Sequence, residues 1–267
     1  MSASQRRVEA IIFDLDDTLI DWSSPAVSRE QFYKPKIAAI HYSLTTLGHK
    51  LPPEDEFFLI VDQAILAVWA EAKKNWQITS FGDMLSRLLM ELALDLNKID
   101  IDHLLRQLDW GPRPGVMPFP DTVPVLKVLR QKGYRLGLLT NSFMPMWVRD
   151  AELQAYQLLP YLDARISAAD IGFLKPHPLI YLAMLDALQV SPERSVFVGD
   201  RPLNDIAGAN EVGLISVLMA PPHLDRLEEG VVPDFTISCL SQLLPILAYL
   251  ETDRRSASFN KESLTSN

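Results

Sequence analysis

Cysteine is nearly missing from the chain, since Cys239 is the only one among 267 residues. No disulfide can form within the chain, and nothing in the sequence indicates an oxidising compartment. Long apolar runs are missing as well, because no stretch of about 18 uncharged apolar residues could span a bilayer. The first residues, MSASQRRVEA, lack the apolar segment of a secretory signal. We therefore expect a cytoplasmic protein.

Positive charge is also in short supply. Lys and Arg total 25 against 34 Asp and Glu, which gives a formal net charge of -9. A negative protein repels polyanions, so nucleic acid and anionic membrane surfaces are not expected partners. A small anionic ligand would need cations at its own binding site to overcome this field. The composition leaves the oligomeric state open.

Short apolar runs are present and are typical of buried parallel strands. They are VEAIIFD (8–14), RLGLLT (135–140), ARISA (164–168), SVFVGD (195–200), LISVLM (214–219) and DFTIS (234–238). Helical patterns separate most of these runs, at 122–132, 178–190 and 203–212. Alternating strands and helices predict an α/β fold, a doubly wound parallel sheet with helices on both faces.

About a hundred residues separate the first two strands, which is too long for an ordinary connection. Helical periodicity at 31–47, 54–74, 81–96 and 101–108 predicts an inserted domain of four helices, with Pro35 marking the start of the first. Linkers at 19–25 and 109–121 flank it and are expected to lie side by side. We predict a core of residues 1–21 and 119–251, a helical cap of residues 22–118 and a disordered tail of residues 252–267.

Carboxylates follow two of the predicted strands. Asp14 and Asp16 end the first run, and Asp200 and Asp205 follow the run at 195–200. Two negative charges about 4 Å apart repel by roughly 4 kcal/mol at an effective dielectric near 20, so the group requires a cation. Mg²⁺ prefers such oxygen ligands, whereas zinc would require His or Cys. The sequence therefore predicts a magnesium site formed by these four aspartates.

Two further strand ends carry groups that suit an anion. Thr140 and Asn141 follow the run at 135–140, and Lys175 follows the run at 164–168 in GFLKPHP. A hydroxyl, backbone amides and an ammonium can together bind phosphate oxygens, and the lysine also neutralises the acidic group. These residues predict a phosphate site fitted with its own cation.

FDLDDTL (13–19), LLTNS (138–142), LKP (174–176) and VGDRPLND (198–205) resemble, in order and spacing, the four motifs of the haloacid dehalogenase-like hydrolases. The likeness covers residues 8–21 and 119–240, and it implies a Rossmann-like core. The helical insert between the first two motifs resembles the cap of the subfamily that contains phosphoglycolate phosphatases. The resemblance therefore implies a Mg²⁺-dependent phosphatase that acts on a small phosphorylated metabolite.

The resemblance also implies a role for each motif residue. Asp14 is expected to attack phosphorus and form an aspartyl-phosphate, with Asp16 as general acid and then base. Lys175 is expected to offset charge in catalysis and to bind phosphate together with Thr140 and Asn141. The expected metal ligands are Asp14, the backbone carbonyl of Asp16, and Asp200, with Asp205 supporting the metal, as the resemblance implies.

Three other functions stay open on the same core. A 2-haloacid dehalogenase shares the aspartate nucleophile but attacks carbon and needs neither Asp16 nor a metal. A phosphomutase would return the phosphoryl group to a sugar instead of to water. A binding or regulatory protein would keep the fold without catalysis, although no central motif residue is missing here. The substrate also stays open among phosphoglycolate, sugar phosphates and nucleoside monophosphates.

Overall fold

The apolar runs of the sequence form a parallel β-sheet. The computed structural model describes residues 8–221 and 230–252. Within these residues lie eight strands, β1 (Ala10–Phe13), β2 (Ile20–Asp21), β3 (Met117–Pro118), β4 (Arg135–Thr140), β5 (Ala164–Ser167), β6 (Ser195–Gly199), β7 (Ile215–Met219) and β8 (Phe235–Ile237). Six of the described strands form one sheet, in the order β5-β4-β1-β6-β7-β8, with every neighbouring pair parallel. β1 lies between β4 and β6, so the carboxyl ends of these three strands meet at one edge.

Helices surround this sheet. The described residues contain ten α-helices, α1 (Arg29–Thr46), α2 (Glu54–Asn75), α3 (Phe81–Glu91), α4 (Ile101–Arg106), α5 (Thr122–Gln131), α6 (Met146–Ala155), α7 (Ala168–Ile171), α8 (Pro178–Leu188), α9 (Gly208–Glu211) and α10 (Leu243–Glu251). None of these helices is both long and apolar enough to cross a membrane.

Both faces of the sheet are covered, as the side chains of β1 demonstrate. Ile12 belongs to a hydrophobic cluster with α8 residues such as Met184, whereas Ile11 and Phe13 belong to a second cluster with α10 residues such as Leu247. Successive side chains of a strand point to opposite faces, so both faces of β1 are packed against helices. This is the doubly wound α/β fold that the sequence predicts.

The region between β2 and β3 is helical and contains α1 to α4, the four helices predicted there. Its buried side chains, including Phe57, Leu85 and Leu104, belong to the same hydrophobic cluster as Ile12 and Met184. The insert also contacts the loops at the carboxyl edge of the sheet, where the Phe81 N–H donates to the Phe143 carbonyl at 2.8 Å and the Ile78 N–H donates to the Gly172 carbonyl at 3.0 Å. Residues 253–267, most of the predicted tail, lie outside the residues that the structure describes.

The two linkers lie side by side, as the sequence indicates. β2 pairs antiparallel with β3 through Ile20 and Pro118. Further along, the backbone N–H of Ala26 donates to the carbonyl of Pro114 at 2.7 Å. A Cβ on Gly115, which has φ 87°, would lie 2.4 Å from the Ala26 nitrogen. Only glycine fits this close contact, and the two linkers form one paired connection.

Three expectations about helices were wrong or incomplete. α1 begins at Arg29 and not at Pro35, because Ser28 and Gln31 form a reciprocal capping box that starts the helix earlier. Pro35 lies inside the helix instead. The sequence patterns also did not identify α6 and α10. The helix predicted at 203–212 is divided into a π-helical turn over Pro202–Ala207 and the short α9.

Candidate active site

Three buried carboxylates meet at the carboxyl edge of the sheet. Asp14 follows β1, Asp200 follows β6, and Asp205 comes from the π-helical turn after it. Carboxylate oxygens of the three residues lie within 4.8 Å of one another. Burial of three acids at such distances is unfavourable without cations, so this group is a candidate divalent-metal site.

Lys175 supplies one cation to this group. Its side chain is 1% exposed, and its Nζ lies 2.6 Å from Asp14 Oδ1 and 2.7 Å from Asp205 Oδ1. Burial alone would lower the pKa of this ammonium, but the carboxylates of Asp14 and Asp205 outweigh that effect and raise the pKa. Lys175 therefore stays charged between the two acids.

The backbone of Lys175 is held by Asn141. The Lys175 N–H donates to Asn141 Oδ1 at 2.7 Å, and Asn141 Nδ2 donates to the Lys175 carbonyl at 3.0 Å. This reciprocal pair joins the end of β4 to the loop that carries the lysine. The side-chain amide of Asn141 thus positions the cation, in addition to any contact that its backbone makes with a ligand.

Gly199 makes the position of Asp205 possible. A Cβ at this glycine would lie 2.4 Å from Cγ of Asp205, far closer than carbon atoms approach. The Asp205 carboxylate also accepts a hydrogen bond from the Arg201 backbone at 2.9 Å. The missing side chain at Gly199 is therefore what lets Asp205 reach the ends of β1 and β6.

Asp16 lies beside the carboxylate group rather than within it. Its Oδ1 accepts a 2.8 Å hydrogen bond from Nε1 of Trp22, and Nη2 of Arg149 lies 3.7 Å from the same oxygen. About a third of its side chain, 34%, faces open space, but the surrounding protein removes most of its water. This loss of water raises the pKa of Asp16 to about 6, against the opposing charge of Arg149. An acid with such a pKa can donate a proton near neutral pH.

A buried ion pair on α6 lies next to Asp16. Arg149 and Glu152 on α6 are 5% and 4% exposed, and Arg149 Nη2 lies 2.9 Å from Glu152 Oε2. Nη1 of Arg149 donates to Thr140 Oγ1 at 3.2 Å, and Trp110 Nε1 donates to Glu152 Oε2 at 3.2 Å. The pair therefore connects the predicted phosphate ligand Thr140 to the linker that carries Trp110.

Two adjoining cavities open at this edge of the sheet. The main cavity, about 410 Å³, is lined by Asp14, Lys175 and Asp205 and by Trp69, Lys73 and Trp76 of the insert, among others. The side cavity, about 210 Å³, is lined by Arg149 and Glu152 and by Trp22, Arg29, Tyr33, Trp110 and Arg113, among others. Asp16, Trp69 and Asn141 line both cavities. Thr140 is fully buried and is not among the lining residues of either.

The family model for haloacid dehalogenase-like hydrolases matches residues 8–213. The chain belongs to this family. It is 30% identical to a glyceraldehyde 3-phosphate phosphatase of Methanopyrus kandleri over 172 residues, 57% of this chain and 72% of that one. It is 26% identical to the phosphoglycolate phosphatase of Escherichia coli over 254 residues, 90% of this chain and 92% of that one.

The fold of this haloacid dehalogenase-like hydrolase is also found among solved structures. A 2-haloacid dehalogenase from Pseudomonas syringae superposes with a TM-score of 0.60, at 24% identity, over 91% of this chain and 99% of that one. At this identity the likeness shows the shared fold and nothing about the reaction.

The fold brings most of the predicted residues together around the main cavity. Thr140 is the exception, because it is buried behind the cavity walls. Asp14, Lys175 and Asp205 are in direct contact, Asp200 lies beside them, and Asp16 adjoins the same cavity. Sequence reasoning missed other residues that contact the site. They are Arg149, Glu152 and Trp110. Trp22 follows the first motif closely enough in sequence to be a candidate for the cavity wall, and it does line the side cavity. The charged pair on an unrecognised helix and the tryptophan of the second linker gave no signal that these residues face a cavity.

Proposed function

We propose that this hydrolase is a Mg²⁺-dependent phosphatase that hydrolyses a small phosphorylated metabolite through an aspartyl-phosphate on Asp14. The observation that carries the proposal is the contact of Asp14 with Lys175, beside the carboxylates of Asp200 and Asp205. A nucleophile, a fixed cation and two further acids at one cavity edge suit the transfer of a phosphoryl group.

The donor set fits Mg²⁺. Asp14, Asp200 and Asp205 offer carboxylate oxygens within 4.8 Å of one another, and the group contains no His or Cys. The three carboxylates and the one buried ammonium of Lys175 leave two negative charges, which a divalent cation would balance. These three side chains and the backbone carbonyl of Asp16 would hold the ion, which when bound would polarise a phosphoryl oxygen and neutralise developing charge.

In the first step a carboxylate oxygen of Asp14 forms a bond to phosphorus while the bond from phosphorus to the alcohol oxygen breaks. Thr18 Oγ1 lies 3.4 Å from Asp14 Oδ2 and Lys175 Nζ lies 2.6 Å from Oδ1, so both oxygens of the nucleophile are held. Fixing the attacking group lowers the entropy cost of the step.

Asp16 would transfer the protons. It gives a proton to the departing alcohol oxygen in the first step and takes one from water in the second, when the acyl phosphate of Asp14 is cleaved to inorganic phosphate. The hydrogen bond from Trp22 and the nearby Arg149 orient its carboxyl group. Its raised pKa suits both tasks.

The remaining motif residues would bind the phosphoryl group. The Thr140 hydroxyl accepts a hydrogen bond from Arg149 and keeps its own proton as a donor, but it lies behind the cavity walls and would reach a phosphate oxygen only after a local movement. The backbone of Asn141 and the ammonium of Lys175 would complete the site. The predicted cap, residues 22–118, would close over the cavity as a lid, with the paired linkers as its hinge.

The substrate class is supported by the relatives and by the site. Two relatives of this chain are named phosphatases of small phosphorylated metabolites. A dehalogenase would have no use for the acid at Asp16 or for the acids at Asp200 and Asp205. A phosphomutase would share every residue described, and the fate of the aspartyl-phosphate distinguishes it.

The test is the release of phosphate from p-nitrophenyl phosphate with and without Mg²⁺. We expect release that stops on chelation with EDTA and that falls by at least about 1000-fold in Asp14→Asn, because a carboxamide cannot act as the nucleophile. Incubation with 2-chloropropionate should release no chloride.

Activity that survives Asp14→Asn or EDTA would contradict the mechanism. Chloride release would favour the dehalogenase. Phosphoryl transfer from a sugar bisphosphate to a second sugar, in preference to water, would favour the phosphomutase. A folded protein with no turnover of any ester would favour a binding protein.

A further inference from the structure

The side cavity is the compartment that leads away from the nucleophile. It shares Asp16 and Asn141 with the main cavity, but Asp14, Lys175 and Asp205 line only the main cavity. In phosphoryl transfer the departing oxygen lies roughly in line with the attacking one, on the opposite side of phosphorus. If the function proposed above holds, the alcohol part of the substrate extends from Asp16 into the side cavity.

The side cavity is rich in arginine, although the protein has a net charge of -9. Its lining has the cations Arg29, Arg113 and Arg149 and the acids Asp16 and Glu152. Glu152 neutralises Arg149, with Nη2 and Oε2 at 2.9 Å. Arg29, the first residue of α1, forms an ion pair with Asp62, with Nη1 and Oδ1 at 2.7 Å. Arg113 is the cation of this lining that forms no ion pair with a described carboxylate.

Arg113 has no acidic partner within residues 8–221 and 230–252. Its Nε and Nη2 donate to the backbone carbonyl of Val27 at 3.2 and 2.6 Å, and its guanidinium lies 5.3 Å from the centre of the Trp22 ring. No carboxylate of the described residues lies within 4.0 Å of it. The guanidinium is therefore held in place by a carbonyl and a ring, with its charge left to attract an anion.

Arg29 is only partly satisfied. Its Nη1 lies 2.7 Å from Asp62 Oδ1, but its Nη2 is buried and has no hydrogen-bond acceptor in the part of the chain that the structure describes. A buried donor without a partner costs free energy, and an anion in the cavity would remove that cost. The ring of Tyr33, 5.4 Å from this guanidinium, restricts its movement.

The size and walls of the side cavity limit what can enter. Its volume of about 210 Å³ lies below the roughly 300–1,000 Å³ of pockets that hold drug-sized ligands. Rings of Trp22, Phe32, Tyr33 and Trp110 form much of the wall. A short carbon chain that ends in an anionic group matches this combination of small size, apolar walls and unsatisfied guanidinium.

We infer that the substrate is a small phosphomonoester whose alcohol part carries a second anionic group, a carboxylate or a second phosphate, that binds Arg113 and Arg29 in the side cavity. This inference rests on the proposed function and deepens it. It distinguishes the substrates for which the two relatives are named, because phosphoglycolate has a carboxylate and glyceraldehyde 3-phosphate has an uncharged aldehyde.

The experiment compares kcat/KM for three esters on one carbon skeleton, with Mg²⁺ present. 3-Phosphoglycerate has a carboxylate where glycerol 3-phosphate has an uncharged alcohol, and glycerol 1,3-bisphosphate has a second phosphate there. We expect at least one anionic ester to exceed glycerol 3-phosphate by about 10-fold or more, because hydrogen bonds to charged groups contribute about 1.5–3 kcal/mol. The ratio of the two anionic esters identifies which anion the cavity accepts.

Single substitutions test which cavity causes the preference for the anionic ester. Arg113→Gln should reduce the ratio of anionic to uncharged ester by about 10-fold, and Arg113→Lys should restore part of it. Arg87→Gln, at an exposed arginine of α3 outside both cavities, is the matched control and should leave the ratio unchanged. Lys73→Gln tests the main cavity, whose wall carries Lys73 and Arg201 in addition to Lys175.

Equal kcat/KM for all three esters would overturn the inference, and so would a preference that is lost in Lys73→Gln but kept in Arg113→Gln. Both results leave the proposed function intact, because phosphate is still released. Failure of every ester, including p-nitrophenyl phosphate, would count against the proposed function itself. Equal kcat/KM values in the wild type overturn the inference even if a variant does not fold.

Discussion

Nε1 of Trp22 donates a 2.8 Å hydrogen bond to Oδ1 of Asp16, so a linker residue orients the proposed general acid. Trp22 follows the short strand β2 at the start of the linker, and its own backbone N–H is fixed by Asp17 Oδ1 at 3.0 Å. The position of the acid is thereby connected to the position of the linker between sheet and insert.

Replacing Trp22 tests this connection. We expect Trp22→Phe to lower kcat for p-nitrophenyl phosphate by about 10-fold, because Asp16 loses a hydrogen bond to its carboxylate and can rotate away from the departing oxygen. Steady-state kinetics provide the measurement. Trp147→Phe, at a tryptophan that is 41% exposed, is the matched control and should leave kcat unchanged. An unchanged kcat in Trp22→Phe would show that the indole only packs.

The ion pair of Arg149 and Glu152 should dominate the stability of α6. Arg149→Met should lower the free energy of unfolding by about 3–5 kcal/mol, because the Glu152 carboxylate stays buried without its partner. The double variant Arg149→Met/Glu152→Leu should lose less than the single variant, since no buried charge remains. Urea denaturation measures both.

The same helix offers a control for that prediction. Asp150 of α6 pairs with Arg165 nearer the surface, with Nη2 and Oδ2 at 2.6 Å and side chains 24% and 36% exposed. Arg165→Met should cost about 1 kcal/mol or less, as exposed pairs do. Equal losses for Arg165→Met and Arg149→Met would contradict the argument from burial.

Mg²⁺ should stabilise the fold as well as support turnover. At about 100 times its dissociation constant, an ion that binds only the folded chain adds about 2.7 kcal/mol to the free energy of unfolding. We expect thermal unfolding to shift upward with MgCl₂, and Asp200→Asn to reduce the shift because it removes one of the three grouped carboxylates. Glu91→Gln, at an exposed acid of α3, should leave it unchanged. The absence of any shift in the wild type would argue against a metal site here.

Gly199 provides a backbone test of the same site. In Gly199→Ala the new Cβ would lie 2.4 Å from Asp205 Cγ, so the carboxylate must move by about 1 Å to reach ordinary contact. Displacement of that size can cost about 100-fold in rate, and we expect a loss of that order in kcat/KM. Gly111→Ala is the matched control, because no atom lies within 4 Å of its added Cβ and its φ is not positive. Full activity in Gly199→Ala would show that catalysis does not depend on the exact position of Asp205.

The sheet and the acids at its edge could be predicted from the sequence. The strand over 135–140 has the bounds of the apolar run, and the others differ by one or two residues at their ends. A buried parallel strand needs a continuous apolar run, and a polar residue directly after it must lie at the carboxyl edge of the sheet. Local patterns therefore predicted the strands and the location of Asp14 and Asp200 at that edge.

The surroundings of Asp16 required the folded chain. Arg149 and Glu152 are charged residues on a helix, and a charge three residues from another is most often a solvated surface pair. They are buried here because Thr140, Asp16 and Trp110 supply partners for them from other parts of the chain. Such partners are set by long-range packing, which leaves no periodic signal in the sequence. The same holds for Arg29 and Arg113, which the pairing of the two linkers brings to one cavity.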